Sequence, residues 1–354
     1  MSLEATDPKS IRRMPHRWNT NTDSRYPAHP PIDRAIPIAC VMSLCAPYER
    51  KLSPIDARLR QIAVVQRPKL GIALGSGSAR GWAHIGVLSA LTERGIIPDF
   101  IAGCSMGAMV GAAFAAGRIG ELEAWALTLD WKRVVGLLDF GLRGGLIKGD
   151  RLLNVFQGQF VECQFSELQF QFAVVATDLA TGKEHWLREG NVSDAVRASC
   201  TVPGLFRPVL RDGRYLVDGS VVNPIPVSLC RAMGAEVVIA VDLGTHMGRR
   251  FPLDPPKPAK TASPRRRLFN VLGASPRPEI PPLPSIVDAM LGAIDVMQQR
   301  IAQSRLVSEA PDVLLTPSLV HLGSFEYHRA AQAIAEGREA VAQMLPAIQD
   351  ALAV

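Results

Sequence analysis

Residues 100–117 form the longest stretch of the chain without a charged side chain, and Gly103-Cys104-Ser105-Met106-Gly107 interrupts it. Ahead of that pentapeptide, Ile97-Pro98-Asp99-Phe100-Ile101-Ala102 is short and apolar enough for a buried strand. Behind it, residues 108–116 are small and apolar enough for a buried helix. A run of this length raises the question of a membrane span. A polar turn in its first third predicts strand, turn and helix inside a core instead. A serine at such a turn is held in a strained conformation, and glycines two residues away on either side let the two backbones approach. The turn exposes the hydroxyl and aims the positive end of the following helix at it. Taken alone, the pattern also fits a tight crossing of small residues with no chemistry.

A second glycine-rich turn lies about thirty residues earlier. Lys69-Leu70-Gly71-Ile72-Ala73-Leu74 reads as a strand, Gly75-Ser76-Gly77-Ser78-Ala79-Arg80-Gly81 follows it, and a helix opens at Trp82-Ala83-His84-Ile85. Strand, loop and helix together put free backbone N–H groups where an anion can sit. A nucleotide phosphate loop would need Gly-Lys-Ser/Thr at its end, where this chain has Arg80-Gly81-Trp82. In a dinucleotide fingerprint the third glycine would not be displaced to position 81, and a ribose-binding acid would follow. The remaining use is an oxyanion hole for the serine on the next strand. A third piece, Arg214-Tyr215-Leu216-Val217-Asp218-Gly219-Ser220, ends an apolar run on an aspartate held at a glycine turn. Alone it is a turn signal; beside the other two it supplies the base that a serine nucleophile needs.

The order of these three motifs resembles the patatin-like phospholipases. The wording Leu-Gly-Ser-Gly-Ser-Ala-Arg-Gly-Trp-Ala-His-Ile-Gly-Val-Leu, with Ala-Gly-Cys-Ser-Met-Gly, is similar to their bacterial RssA-like branch. The resemblance runs from about Pro68 to Asp242, and more loosely through residues 311–317 and the final helix. It implies an α/β protein, a three-layer α/β/α fold with a mainly parallel central sheet. It also implies a dyad, with Ser105 as nucleophile and Asp218 as base. The main-chain N–H groups of Gly77 and Ser78 would be the oxyanion donors, with Arg80 as electrostatic support and Gly75, Gly81, Gly103, Gly107 and Gly219 supporting the turns. The family loop usually carries three consecutive glycines where this chain has Ser76-Gly77-Ser78. A serine still donates its backbone N–H, although any position there that needs φ > 0 is strained. Because a carboxylate is a weak base for a hydroxyl, a partly desolvated Asp218 is expected.

An ordinary α/β-hydrolase would add a histidine after the aspartate, and His246, His321 and His328 stand in that order. Their surroundings read as a basic Pro-rich stretch, a strand end and the amphipathic final helix. His84 reads as a helix-packing residue. No His/Cys cluster has metal-ligand spacing, and neither metal nor cofactor is expected. The six cysteines (40, 45, 104, 163, 200 and 230) form no CxxC pair and read as reduced thiols of a cytosolic protein, Cys104 as a spectator.

Charge divides the chain. Residues 1–67 carry 11 Lys/Arg against 6 Asp/Glu, and residues 246–280 carry 8 against 2, although the whole chain nets only +6. The expected organisation is a basic, Pro-rich and disordered extension over 1–67 and a catalytic domain over 68–350, with a basic Pro-rich insertion at about 246–283. Residues 51–66 read as a short helix leading into the first strand. The insertion places Arg265-Arg266-Arg267 beside Leu268-Phe269, which suits peripheral contact with an anionic membrane; no specific nucleic-acid motif accompanies it. Further strands are expected at 171–178, 183–188 and 236–242, and helices at 191–198 and 286–305. Family resemblance sets the apolar bend at 199–206 near an acyl pocket. The expectation is a serine lipid acyl hydrolase acting on phospholipid or a related acyl ester. The rivals are a soluble carboxylesterase or thioesterase, and a non-catalytic regulatory protein that retains the fold.

Overall fold

The strand LGIAL at Leu70–Leu74 (β1) is buried along its whole length, because parallel neighbours occupy both its edges. The computed structural model describes residues 67–137, 155–156, 158–244 and 286–353. The expected extension before Arg67, the helix at 51–66, His246, Cys40, Cys45 and the basic insertion at 246–283 all lie outside the described residues. The other strands are β2 (Phe100–Cys104), β3 (Gln171–Asp178), β4 (Glu184–Leu187), β5 (Val209–Arg211), β6 (Arg214–Asp218), β7 (Val237–Val241) and β8 (Val313–Leu315). They form one sheet in the order β5-β6-β3-β2-β1-β7-β8, with β4 also paired to β3. The β1/β2, β1/β7, β2/β3 and β7/β8 pairs are parallel, and β3/β4, β3/β6 and β5/β6 are antiparallel. The centre is therefore parallel and the antiparallel pairs gather around β3.

Strand alternation sorts the core into two faces. Leu70, Ile72, Leu74, Ile101, Val174 and Ile239 pack under α1 (Ala83–Glu93), α2 (Met106–Ala115), α5 (Val192–Ser199) and α8 (Ala330–Ala351). Ala73, Ala102, Ala173 and Val238 point the other way, against α6 (Val227–Met233) and Ala302 of α7 (Ile286–Ser308). These are the three layers expected. The helices α3 (Ile119–Leu127) and α4 (Trp131–Leu137) follow α2 in the chain. α2 is buried on all sides, as its all-round small and apolar sequence requires.

Several elements differ from expectation at their ends, two of them beside the serine and glycine turns. β2 starts at Phe100, not Ile97, and runs to Cys104, so no linker separates the strand from Ser105. Residues 78–82 form a 3-10 turn, and α1 opens at Ala83, not Trp82.

The register around β3 positions the site. Val174 and Val175 pair with both β2 and β4, so those two strands lie on opposite edges of β3. Ala176 and Thr177 pair with both β4 and β6, so β6 lies on the same edge as β2. On that shared edge Cys104 is opposite Val175 and Asp218 is opposite Ala176. β2 and β6 therefore run head to head, and their last residues meet.

Candidate active site

That meeting puts the Ser105 hydroxyl in hydrogen-bond contact with the Asp218 carboxylate, Oγ donating to Oδ2 at 2.7 Å. Ser105 sits between the last residue of β2 and the first of α2 with φ 53 and ψ −120, a backbone conformation that costs an L-residue about 1–3 kcal/mol. Packing enforces it. A Cβ at Gly107 would overlap the Leu74 carbonyl, so α2 crosses β1 closer than any other residue permits. On the opposite side a Cβ at Gly219 would overlap the Val175 carbonyl, which lets the chain turn directly after Asp218.

Asp218 is fully buried, more desolvated than sequence reasoning expected. Its Oδ1 accepts the Ser220 N–H at 2.8 Å, its backbone N–H donates to Thr201 O, and its carbonyl accepts from Thr177 Oγ1. Burial pushes its pKa above the usual 3.8, against the pull of hydrogen bonds from Ser220 and Ser105. A carboxylate so placed is a stronger base than one in water. Cys104 is buried, with Sγ 4.0 Å from Asp218 Oδ1; Cys200 Sγ lies 3.2 Å from Ser105 O. Burial raises both thiols well above their ordinary range, which keeps them protonated.

The glycine-rich loop lines the same cleft as the dyad. Most of its backbone donors are already engaged: Gly75 N–H on Val241 O, Ser76 on Pro224 O, Ala79 on Ser324 O and Arg80 on Gly77 O. Ser105 N–H is engaged too, on Ser199 Oγ at 2.8 Å. Among the described residues, no acceptor meets the N–H of Gly77 or Ser78. Those are the two donors that the family resemblance implies for an oxyanion hole.

Ser78 carries the strain anticipated for a serine in this loop, with φ 52. Its hydroxyl offsets that cost. It donates to Ser324 O at 2.5 Å, and with its hydrogen so used it accepts from the Tyr327 hydroxyl at 3.0 Å. Burial lifts the Tyr327 phenol to about 12, which keeps it protonated. Arg80 is 8% exposed and reaches Leu243 O, Ser324 Oγ and, at 3.7 Å, Asp295 of α7. It ties the loop to α7 and to the end of β7. Gly81 packs directly on Met106, which seats the loop against the serine turn.

His321 and His328 are exposed, and His328 belongs to a 3-10 turn (Tyr327–Arg329) before α8, not to the final helix itself. His84 is buried on α1 with its Nε2 2.7 Å from Gly75 O. Sequence reasoning missed Ser199, Thr177, Tyr327 and Ser324, which brace the dyad and the loop. They act through hydroxyls and loop carbonyls, with no motif around them. Residues 199–206 do border the cleft, through Cys200, Val202, Leu205 and Phe206. No group of His, Cys, Asp and Glu among the described residues has metal-binding geometry.

Residues 72–231 match the model of the patatin-like phospholipase family. An uncharacterized NTE family protein of Mycobacterium tuberculosis is 32% identical over 347 residues, covering 84% of this chain and 96% of that protein. The chain belongs to the patatin-like phospholipase family. A second M. tuberculosis member, also an uncharacterized NTE family protein, is 32% identical over 290 residues, 79% of this chain and 47% of its own length. The lysophospholipase nte1 of Aspergillus fumigatus is 31% identical over 191 residues, 50% of this chain and 12% of its own. The patatin-like match takes in most of β1, the glycine-rich loop, the serine turn and Asp218; of the polar residues lining the cleft, Asp242, Ser324, Tyr327 and those of α7 lie beyond it.

Proposed function

We propose that this protein is a serine lipid acyl hydrolase that cleaves acyl esters of phospholipids or related lipids through a Ser105–Asp218 dyad and an acyl-enzyme. The observation that carries the reading is the 2.7 Å hydrogen bond from a strained serine to a fully buried carboxylate. Ser105 Oγ attacks the acyl carbonyl carbon as its proton passes to Asp218 Oδ2. The carbonyl electrons move onto oxygen, and the N–H groups of Gly77 and Ser78 receive that oxyanion. As the tetrahedral centre collapses, the ester C–O bond breaks and Asp218 returns the proton to the departing alcohol. Water then attacks the acyl-enzyme with its proton going to Asp218, and the second collapse releases fatty acid and restores the Ser105 hydroxyl.

Apolar lining from Met106, Met109, Leu205, Phe206 and Ile225 suits an acyl chain. Family membership and the named lysophospholipase relative favour a lipid ester over other acyl donors. We also infer peripheral contact with anionic membrane through the basic segment 246–280, and a cytoplasmic location. Among the described residues, no helix is long and apolar enough to cross a membrane.

The test is covalent labelling with a fluorophosphonate, comparing wild type with Ser105→Ala and Asp218→Asn, followed by fatty-acid release from lysophospholipid. Labelling and turnover in wild type alone support the dyad. A folded wild-type protein that neither labels nor turns over refutes it.

A further inference from the structure

His84 serves no step of the chemistry above, yet its ring touches the loop that would hold the oxyanion. The ring is completely buried on the first turn of α1, with Nε2 2.7 Å from Gly75 O. A carbonyl oxygen only accepts, so Nε2 carries the hydrogen and Nδ1 the lone pair. Nδ1 is also buried, and no partner meets it among the described residues. The ring thus satisfies the buried Gly75 carbonyl at the cost of one orphaned nitrogen of its own.

The return is local to the loop. Gly75 C=O and Ser76 N–H belong to one peptide unit. Its carbonyl accepts from His84, and its N–H donates to Pro224 O at 2.9 Å. Both ends of that peptide plane are thus clamped, and the next N–H along the chain is that of Gly77. We propose that His84 is a positioning residue of the oxyanion loop, a neutral imidazole whose Nε2–H sets the 75–76 peptide so that the Gly77 and Ser78 N–H groups stay turned to the cleft. Burial holds its pKa down at about 4, so the ring stays neutral wherever the dyad carboxylate is ionised for work near neutral pH.

The inference rests on Ser105 being the nucleophile, and the experiment separates the two. A chromogenic ester is assayed with wild type, Ser105→Ala, His84→Met and His84→Gln, with active sites counted by fluorophosphonate labelling and folding followed by thermal melting. Met removes the donor and the orphaned nitrogen together; Gln keeps an N–H of similar reach. Misaimed donors cost on the order of 10- to 100-fold in kcat. The expected result is a His84→Met protein that still melts cooperatively, destabilised by no more than the unpaired Gly75 carbonyl costs, keeps KM within about twofold and loses kcat per labelled site on that scale, with His84→Gln recovering several-fold. Wild-type kcat per site in His84→Met overturns the inference. So does a loss of activity that tracks lost folding and that Gln does not restore, or failure of both variants to fold. If wild type itself shows no Ser105-dependent turnover, the enzymatic reading fails first, and the failure is seen in a different tube.

Discussion

The buried imidazole of His84 has a thermodynamic consequence that can be measured without any substrate. Its pKa is about 4 in the folded chain, lowered by burial from an ordinary 6.5. For a base held neutral, the folded state gives up its proton first. Above pH 6.5 neither state is protonated and the group exerts no penalty. As pH falls from 6.5 towards 4, the unfolded chain takes up a proton that the folded chain refuses, and stability is lost across that window. The gap between 6.5 and about 4 corresponds to about 3 kcal/mol in all, accumulating at about 1.4 kcal/mol per pH unit. His84→Met removes the titration without opening a void. Urea unfolding of both proteins at pH 7, 6, 5 and 4 gives the difference in free energy directly, and groups common to both cancel in it. The variant should gain on wild type by about 3 kcal/mol between pH 7 and pH 4. Parallel stability profiles would refute the reasoning, because they would mean that the ring is hydrated or protonated inside the fold.

Asp218→Asn should lower turnover by about 100- to 10,000-fold. The same change should raise the melting temperature at pH 7, since burial lifts the folded pKa of Asp218 above 3.8 and stability falls as pH rises through that window; the gain should shrink on acidification towards pH 4. At Ser78, alanine keeps the φ 52 strain and loses the hydroxyl contacts to Ser324 and Tyr327, a loss of about 1–2 kcal/mol, whereas glycine loses the contacts but relieves about 1 kcal/mol of strain. Denaturant midpoints should therefore rank wild type first, Ser78→Gly second and Ser78→Ala last. Replacing Arg265, Arg266 and Arg267 by glutamine should weaken sedimentation with vesicles rich in anionic lipid about tenfold or more and leave hydrolysis of a soluble ester unchanged.

What was legible in the chain is what local chemistry dictates. Glycine at 103 and 107, small residues through α2 and the apolar run of β1 fix strand, turn and helix within a few residues of one another, and the structure has them in place. The helix expected at 191–198 forms over 192–199, where Asn191 caps it and its Oδ1 accepts the Asp194 N–H at 3.1 Å. The start of β2 was misread because Ile97 and Pro98 are apolar in composition, yet Pro98 has no N–H to donate to a ladder. The braces of the site were not legible at all. Ser199, Tyr327 and Ser324 act through hydroxyls and main-chain carbonyls, and the partners that matter to the loop and the serine turn lie 94 to 249 residues away.

The dyad itself shows where local reading stops. Nothing near Asp218 in sequence says that it meets Ser105, since 113 residues separate them. The meeting depends on register: β2 must end opposite Val175, and β6 must reach the same edge of β3 and end one place further on, opposite Ala176. A slip of one residue in either ladder would turn every side chain of that strand to the other face, carrying Asp218 off the serine. The packing resists such a slip from both sides, because Phe172 and Val174 belong to one core face and Ala173 and Val175 to the other. Gly219 adds a third constraint, since only a residue without a side chain fits over the Val175 carbonyl. The hydrogen bond on which the proposed chemistry turns is therefore held by the apolar alternation of β3, a strand that contributes the Thr177 hydroxyl to the polar contacts of Asp218.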